Sequence, residues 1–229
     1  MRLISLNVSP PKEIVHGRGT VTTGIFKEPV AGRVMLRKTN LDGDGQADLV
    51  NHDGPDRAAY AYPVENYDYW RRALDRDDFG FGQFGENFTV EGMTEDEVNI
   101  GDVFRVGGAV VEVSQPRPPC FKLGIKMGLP KFPKLFLASG RIGFYLRVLQ
   151  EGEIGAGDTF DLIGTDPERI TVREMSHLLF FEPEDLEGAE RAFRIRALSP
   201  GWRDSFEERL IKAGVAGEHG TRPEERNSR

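Results

Sequence analysis

The residues of this 229-residue chain that can do chemistry gather in two short stretches. In Ser114-Gln115-Pro116-Arg117-Pro118-Pro119-Cys120-Phe121-Lys122-Leu123, the only cysteine follows a strand-like run that ends in prolines, and prolines cannot extend a central ladder. Arg117 and Lys122 flank the thiol. Nearby positive charge favours the thiolate, the form that attacks electrophiles and binds soft metals. A lone cysteine is more commonly an inert buried apolar residue, so spacing alone leaves both readings open. The second stretch, His52-Asp53-Gly54-Pro55-Asp56-Arg57, runs into the apolar Ala58-Ala59-Tyr60-Ala61-Tyr62. Gly and Pro can set a rigid turn that faces His52 and Arg57 toward a phosphate. A solvated turn with a local ion pair explains the same residues.

Two weaker pieces gain meaning only if they converge with the first two. Thr22-Thr23-Gly24-Ile25-Phe26-Lys27 is read as a strand ending in a lysine, and Phe84-Gly85-Glu86-Asn87-Phe88 as a glycine-led turn into a strand. Together with Arg57 and Arg117, Lys27 would supply the positive charge that a buried anion requires, and Asn87 a donor and an acceptor. Asp42-Gly43-Asp44-Gly45-Gln46-Ala47-Asp48 has the look of a calcium loop, but Ala47 stands where the turn glycine belongs and Asp53 where the bidentate Glu belongs, so calcium is rejected. The chain has no glycine-rich dinucleotide fingerprint, phosphate loop or His-Glu-x-x-His motif, which removes the usual support for nucleotide and zinc-protease chemistry.

The elements that must position these residues are readable from periodicity. From about residue 20 to about 163, short β-rich runs alternate with Gly, Asn and Asp clusters, the pattern of a many-stranded antiparallel barrel or sandwich. Residues Ile100 to Val106 and Ala109 to Val113 flank Gly107-Gly108 and read as a hairpin, since glycine permits the positive φ of a primed turn. Gly101-Asp102-Val103-Phe104 is echoed by Gly157-Asp158-Thr159-Phe160, which implies similar corners. Pro63 to Leu74 reads as a helix with Tyr67, Trp70 and Leu74 on one face, better explained as core than as a binding box. After Gly164 the texture changes to three helices. Thr171-Val172-Arg173-Glu174 is a capping box, Pro183-Glu184-Asp185 opens a second helix, and Ser199-Pro200 caps a third. The expected organisation is a β-barrel domain over 1–164, a three-helix domain over 165–213 and a poorly ordered tail over 214–229.

Composition narrows the partners. A net charge of -7 opposes broad attraction to nucleic acid or anionic lipid. The three-helix segment does not rescue a DNA-binding reading, because residues 165–229 hold 11 Lys and Arg against 14 Asp and Glu, the wrong sign for phosphate backbones. No apolar run approaches the roughly twenty residues that span a bilayer. The first residues lack the apolar core of a signal peptide, and one cysteine makes no disulfide framework. The expectation is a cytoplasmic protein acting on small molecules, without a nucleic-acid or membrane partner.

Read in order, Thr-x-x-Ile-x-Lys, Gly-Asp-x-Gln-Ala-Asp, His-x-Gly-Pro-Asp-Arg, Phe-Gly-Glu-Asn-Phe and Gln-Pro-Arg-x-Pro-Cys-x-Lys-Leu resemble the MOSC family, and most closely its YiiM-like branch. The resemblance runs from about Thr22 to about Leu210, because the three helices resemble the helical domain that follows MOSC in that branch. It implies a β-barrel domain that holds a molybdenum cofactor of the molybdopterin type, with Cys120 as the metal's protein thiolate. By the same carry-over Lys27, Arg57 and Asn87 contact the cofactor. Arg117 and Lys122 lie in a matching motif and are assigned with them, while His52 is assigned as a proton carrier, suited by an unperturbed pKa of about 6.5. One departure is Asp53-Gly54 where the family has a glycine pair, which adds a carboxylate beside a site meant for an anion.

The implied activity is reduction of small N-hydroxylated compounds such as 6-hydroxylaminopurine. Since the chain has no further cysteine for an iron–sulfur cluster, electrons are expected from a separate reductase. The competing expectation is a carrier of the molybdenum cofactor, or a sulfur-transfer protein that works through a Cys120 persulfide.

Overall fold

A computed structural model describes residues 1–45 and 54–215. His52, Asp53 and the end of the rejected calcium-like loop lie outside them, as does most of the expected tail. The strands in chain order are β1 (Arg2–Val8), β2 (Lys12–His16), β3 (Gly19–Thr23), β4 (Glu28–Pro29), β5 (Arg33–Leu36), β6 (Ala59–Pro63), β7 (Phe88–Glu91), β8 (Val103–Val106), β9 (Ala109–Pro116), β10 (Phe144–Gln150), β11 (Gly152–Gly155) and β12 (Phe160–Gly164). The helices are α1 (Glu65–Leu74), α2 (Phe121–Met127), α3 (Phe132–Ala138), α4 (Val172–Phe180), α5 (Leu186–Arg194) and α6 (Pro200–Lys212).

Eight strands form one sheet in the order β12-β8-β9-β10-β6-β7-β1-β4, while β2 pairs with β3 and β5 with β11. The sheet curls into a half-barrel of mixed strands, where the strand pattern had read as an antiparallel barrel or sandwich. A bridge between Arg2 and Thr159 and the bonds Leu3 N to Asp158 O, Gly157 N to Leu3 O and Phe160 N to Met1 O link the start of the chain to β12 and the turn before it. Register shifts in β1, β9–β10 and β8–β12 supply the bending that irregular ladders bring. The β6–β7 pair is parallel, also against expectation, and the reason is connectivity: α1 lies between the two strands, and parallel neighbours need such a crossover.

Local expectations hold where local chemistry decides. Gly107 takes φ 52 and Val106 pairs with Ala109, closing the expected hairpin. The echoed corners are the same turn built twice. Asp102 Oδ2 accepts from Asn99 N at 2.8 Å and Asp158 Oδ2 from Gly155 N at 2.9 Å, with Gly101 and Gly157 at φ 86 and 96. The strands that follow pair with each other.

Thr171 Oγ1 accepts from Glu174 N at 3.1 Å and Asp185 Oδ1 from Gly188 N at 2.8 Å, capping α4 and α5. Ser199 offers no side-chain cap to α6; its backbone N–H instead donates to Ser114 O at 3.2 Å, tying the helix to β9. The main apolar cluster runs from Val111, Val113, Leu146 and Phe160 of the sheet into Met175, Leu178, Ala189, Phe206 and Leu210 of the three helices. A second, aromatic cluster packs Tyr67 and Trp70 of α1 against Phe84, Phe132 and Phe136, so the stripe on α1 is core, as its spacing implied.

Candidate active site

The functional residues come from four connections that end beside neighbouring strands. Lys27 lies in the loop between β3 and β4, Arg57 in a 3-10 turn (Pro55–Arg57) before β6, Asn87 immediately before β7, and Arg117 to Cys120 between β9 and α2, with Lys122 in the first turn of α2. Lys27 therefore does not end a strand, as expected. β3 stops at Thr23, whose Oγ1 accepts from Ile25 N at 3.2 Å, and the chain then turns. Gly24 makes room there: a Cβ would lie 2.5 Å from Gly45 O. Gly85, at φ 86, lets the loop before β7 approach Ile25, whose Cγ1 would lie 2.7 Å from a Cβ.

These connections enclose one solvent-open cleft of about 720 Å³, and Lys27, Arg57, Asn87, Arg117, Cys120 and Lys122 all line it. Residues some ninety positions apart thus converge as expected. His52 lies outside the described residues. Cys120 is partly exposed and precedes the first turn of α2, with Leu123 N donating to its carbonyl at 3.1 Å. On the cleft floor Tyr145 of β10 is registered opposite Tyr60 of β6, their rings 5.6 Å apart.

Arg117 is only 5% exposed. Its guanidinium lies 5.1 Å from the Tyr60 ring centre and 5.7 Å from that of Phe136, and its buried Nη1 has no hydrogen-bond partner among the described residues. Burial works against this charge, but Tyr60, Tyr145 and the Cys120 sulfur favour it, and the balance raises the pKa. An unpartnered buried donor on a permanent cation is rare in folded proteins and calls for an acceptor from outside the chain.

Sequence reasoning missed the polar frame behind these residues. Asp44, a cleft-lining carboxylate, accepts from Lys27 Nζ at 2.6 and 2.7 Å, from Asn87 Nδ2 at 2.8 Å and from Ser9 N at 2.9 Å. Asn87 also donates to Asn7 O at 3.3 Å and accepts from Tyr60 N at 3.1 Å, so both amide hydrogens are engaged within the protein. Glu86, fully buried, accepts from the Tyr67 hydroxyl, Gly82 N, Phe84 N and Thr89 Oγ1, and burial raises its pKa. Lys126 of α2 donates to Ile25 O at 2.9 Å and to Gly82 O. Burial pushes its pKa down to about 8, with Glu86 opposing the shift and Lys27 adding to it. The only sequence signals were the motif positions of Asp44 and Glu86, and Lys126 one helical turn beyond Lys122.

The donor set suits a molybdenum–pterin group. Cys120 offers a soft sulfur, Arg57, Arg117 and Lys122 offer charge for an anion, and the orphaned Arg117 Nη1 offers a bond not made within the protein. Among the described residues no group of three or more His, Cys, Asp or Glu could hold a metal ion. A metal at Cys120 would bring its other ligands with it.

A curled mixed sheet with a lone thiol at a cationic cleft, followed by three packed helices, is the plan of a MOSC-domain protein. The MOSC domain model matches residues 48–161, and the model "YiiM-like, 3-alpha helix domain" matches 170–213. The chain belongs to the YiiM-like family of MOSC proteins. It is similar to YiiM from Geobacillus stearothermophilus, with 38% identity and a TM-score of 0.78 over 91% of this chain and 98% of that one. It is also similar to the uncharacterised protein YflK of Bacillus subtilis, 43% identical over 89% of this chain and 92% of that one. A third relative, named a reductase, from Gibberella moniliformis, is 36% identical over 63% of this chain but only 26% of its own length.

Proposed function

We propose that this protein is a molybdenum cofactor-dependent reductase of small N-hydroxylated compounds, of which 6-hydroxylaminopurine is a representative, and that a separate reductase supplies its electrons in the cytoplasm. The observation that carries the reading is the convergence of Cys120 with Arg57, Arg117 and Lys122 on one cleft; the reductase name of one relative agrees with it. When bound, the molybdenum cofactor supplies two-electron reduction of the N–O bond, which with two protons yields the amine and water. Cys120 thiolate holds the metal, favoured by the neighbouring cations. Arg57 and Arg117 hold the anionic part, Arg117 through the guanidinium edge that lacks a partner. Tyr60 and Tyr145, tilted to one another, offer aromatic surface beside which a planar base can pack, and His52 carries a proton.

The test is molybdenum and pterin analysis of protein from a cofactor-competent host, comparing the wild type with Cys120→Ser. The expected result is near-stoichiometric metal and pterin in the wild type, metal lost in the variant, and hydroxylaminopurine reduction with an added electron donor only in the wild type. A wild type loaded with cofactor yet inactive with every N-hydroxylated substrate would point to a carrier. Absence of both components, with sulfane sulfur on Cys120, would point to sulfur transfer.

A further inference from the structure

We propose that Asp44 is a positioning residue of this cleft: it fixes Lys27 and Asn87 so that the pair's remaining donor capacity toward a bound ligand lies on Lys27. A carboxylate has about four acceptor positions, and those of Asp44 are filled by two contacts from Lys27 Nζ, one from Asn87 Nδ2 and one from Ser9 N. Asp44 has no capacity left for a ligand, although it lines the cleft, so it acts through its partners. Both amide hydrogens of Asn87 are engaged, with Asp44 and Asn7. Lys27 has three N–H donors. The ammonium meets both oxygens of the Asp44 carboxylate, and among the described residues no other acceptor takes its remaining hydrogen capacity.

This unit joins three segments, at Ser9, Lys27 and Asn87, and holds the Lys27 ammonium where they meet at the cleft. Both side chains of the ion pair are nearly sealed, at 9% and 4% exposed, and a buried ion pair with one partner removed leaves a costly unpaired charge. The groups that act on the Lys27 amine are Asp44 and Glu86, which favour its charge, and the nearby Lys126, which opposes it; burial outweighs the first two and lowers its pKa. The ligand half of the proposal rests on the reading of the cleft as a cofactor site, while the Lys27 half does not.

The experiment is an NMR pH titration of the full chain labelled with ¹⁵N-lysine, the Lys27 signal assigned by its absence from Lys27→Arg, in parallel with pterin occupancy after expression in a cofactor-competent host. In Asp44→Asn the Lys27 midpoint is expected to fall by roughly one unit or more, with pterin occupancy reduced several-fold. An unmoved midpoint, or a lowered one with pterin retained at the wild-type level, would overturn the proposal. If the wild type itself carries no pterin, the cofactor reading fails and the Lys27 midpoint alone decides. If Asp44→Asn does not fold, the Lys27→Met/Asp44→Asn double variant should recover folding, because it removes both charges together; failure of the double variant also overturns the proposal.

Discussion

Lys126 shows how a single side chain can serve this site without touching a ligand. Its ammonium ties Ile25 and Gly82, so α2, which starts beside Cys120, is stitched to the loop before Lys27 and the loop before Asn87. The folded pKa of about 8, lowered first by burial, lies below the value of about 10.4 for a lysine in an unfolded chain. Between those values the unfolded chain binds a proton that the folded chain has released, so folding stability gains with pH across that window. Below about pH 8 the folded state carries the whole penalty of the buried charge. Urea unfolding of the wild type and Lys126→Met from roughly pH 7 to pH 10 should show the wild type gaining on the order of 1–3 kcal/mol relative to the variant. Parallel curves would show that this amine ionises alike in both states.

At the scale of elements, the loop between α1 and β7 is held by Glu86, which collects two backbone N–H groups and two hydroxyls in a site with no water contact. Glu86→Ala orphans several donors at once and is expected to cost about 3 kcal/mol or more, against roughly half that for Glu86→Gln, which keeps one acceptor. Denaturant midpoints would decide. A cost within the range of a surface substitution would mean the loop is held by the aromatic packing of Phe84 instead. Glu86 also marks the limit of sequence reading here. The capping of α4, the Gly107-Gly108 hairpin and the stripe on α1 were legible because each is decided by residues within one turn. The ordered motifs brought the cationic side chains and Cys120 to one cleft without saying how. What stayed hidden was every partner chosen across the fold. Asp44 meets Lys27 and Asn87 at separations of 17 and 43 residues, and β7 lies parallel to β6, neither of which leaves a local period in the chain.

At the scale of the whole molecule, the apolar interior passes from the sheet into α4, α5 and α6 without interruption, and Arg147 crosses the same junction. It donates to Asp56 and Glu112 and, at 3.1 Å, to the carbonyl of Ala197 just before α6. Asp56 adjoins Arg57, so the helices connect through this partly buried bridge to the cleft wall. Elements sharing one core are expected to unfold together. The signals of secondary structure and of the tyrosines should therefore lose intensity in one coincident transition. Phe206→Ala, which empties a fully buried ring site on α6, should lower that shared transition by about 3–5 kcal/mol rather than melting the helices alone. Deleting residues 165–229 would strip Met175, Leu178, Phe206 and Leu210 from the shared core and should give an aggregating chain that takes up no pterin. Two resolved transitions in the wild type, or a soluble truncated chain with wild-type pterin occupancy, would instead make the helices an appendage that the cleft does not need.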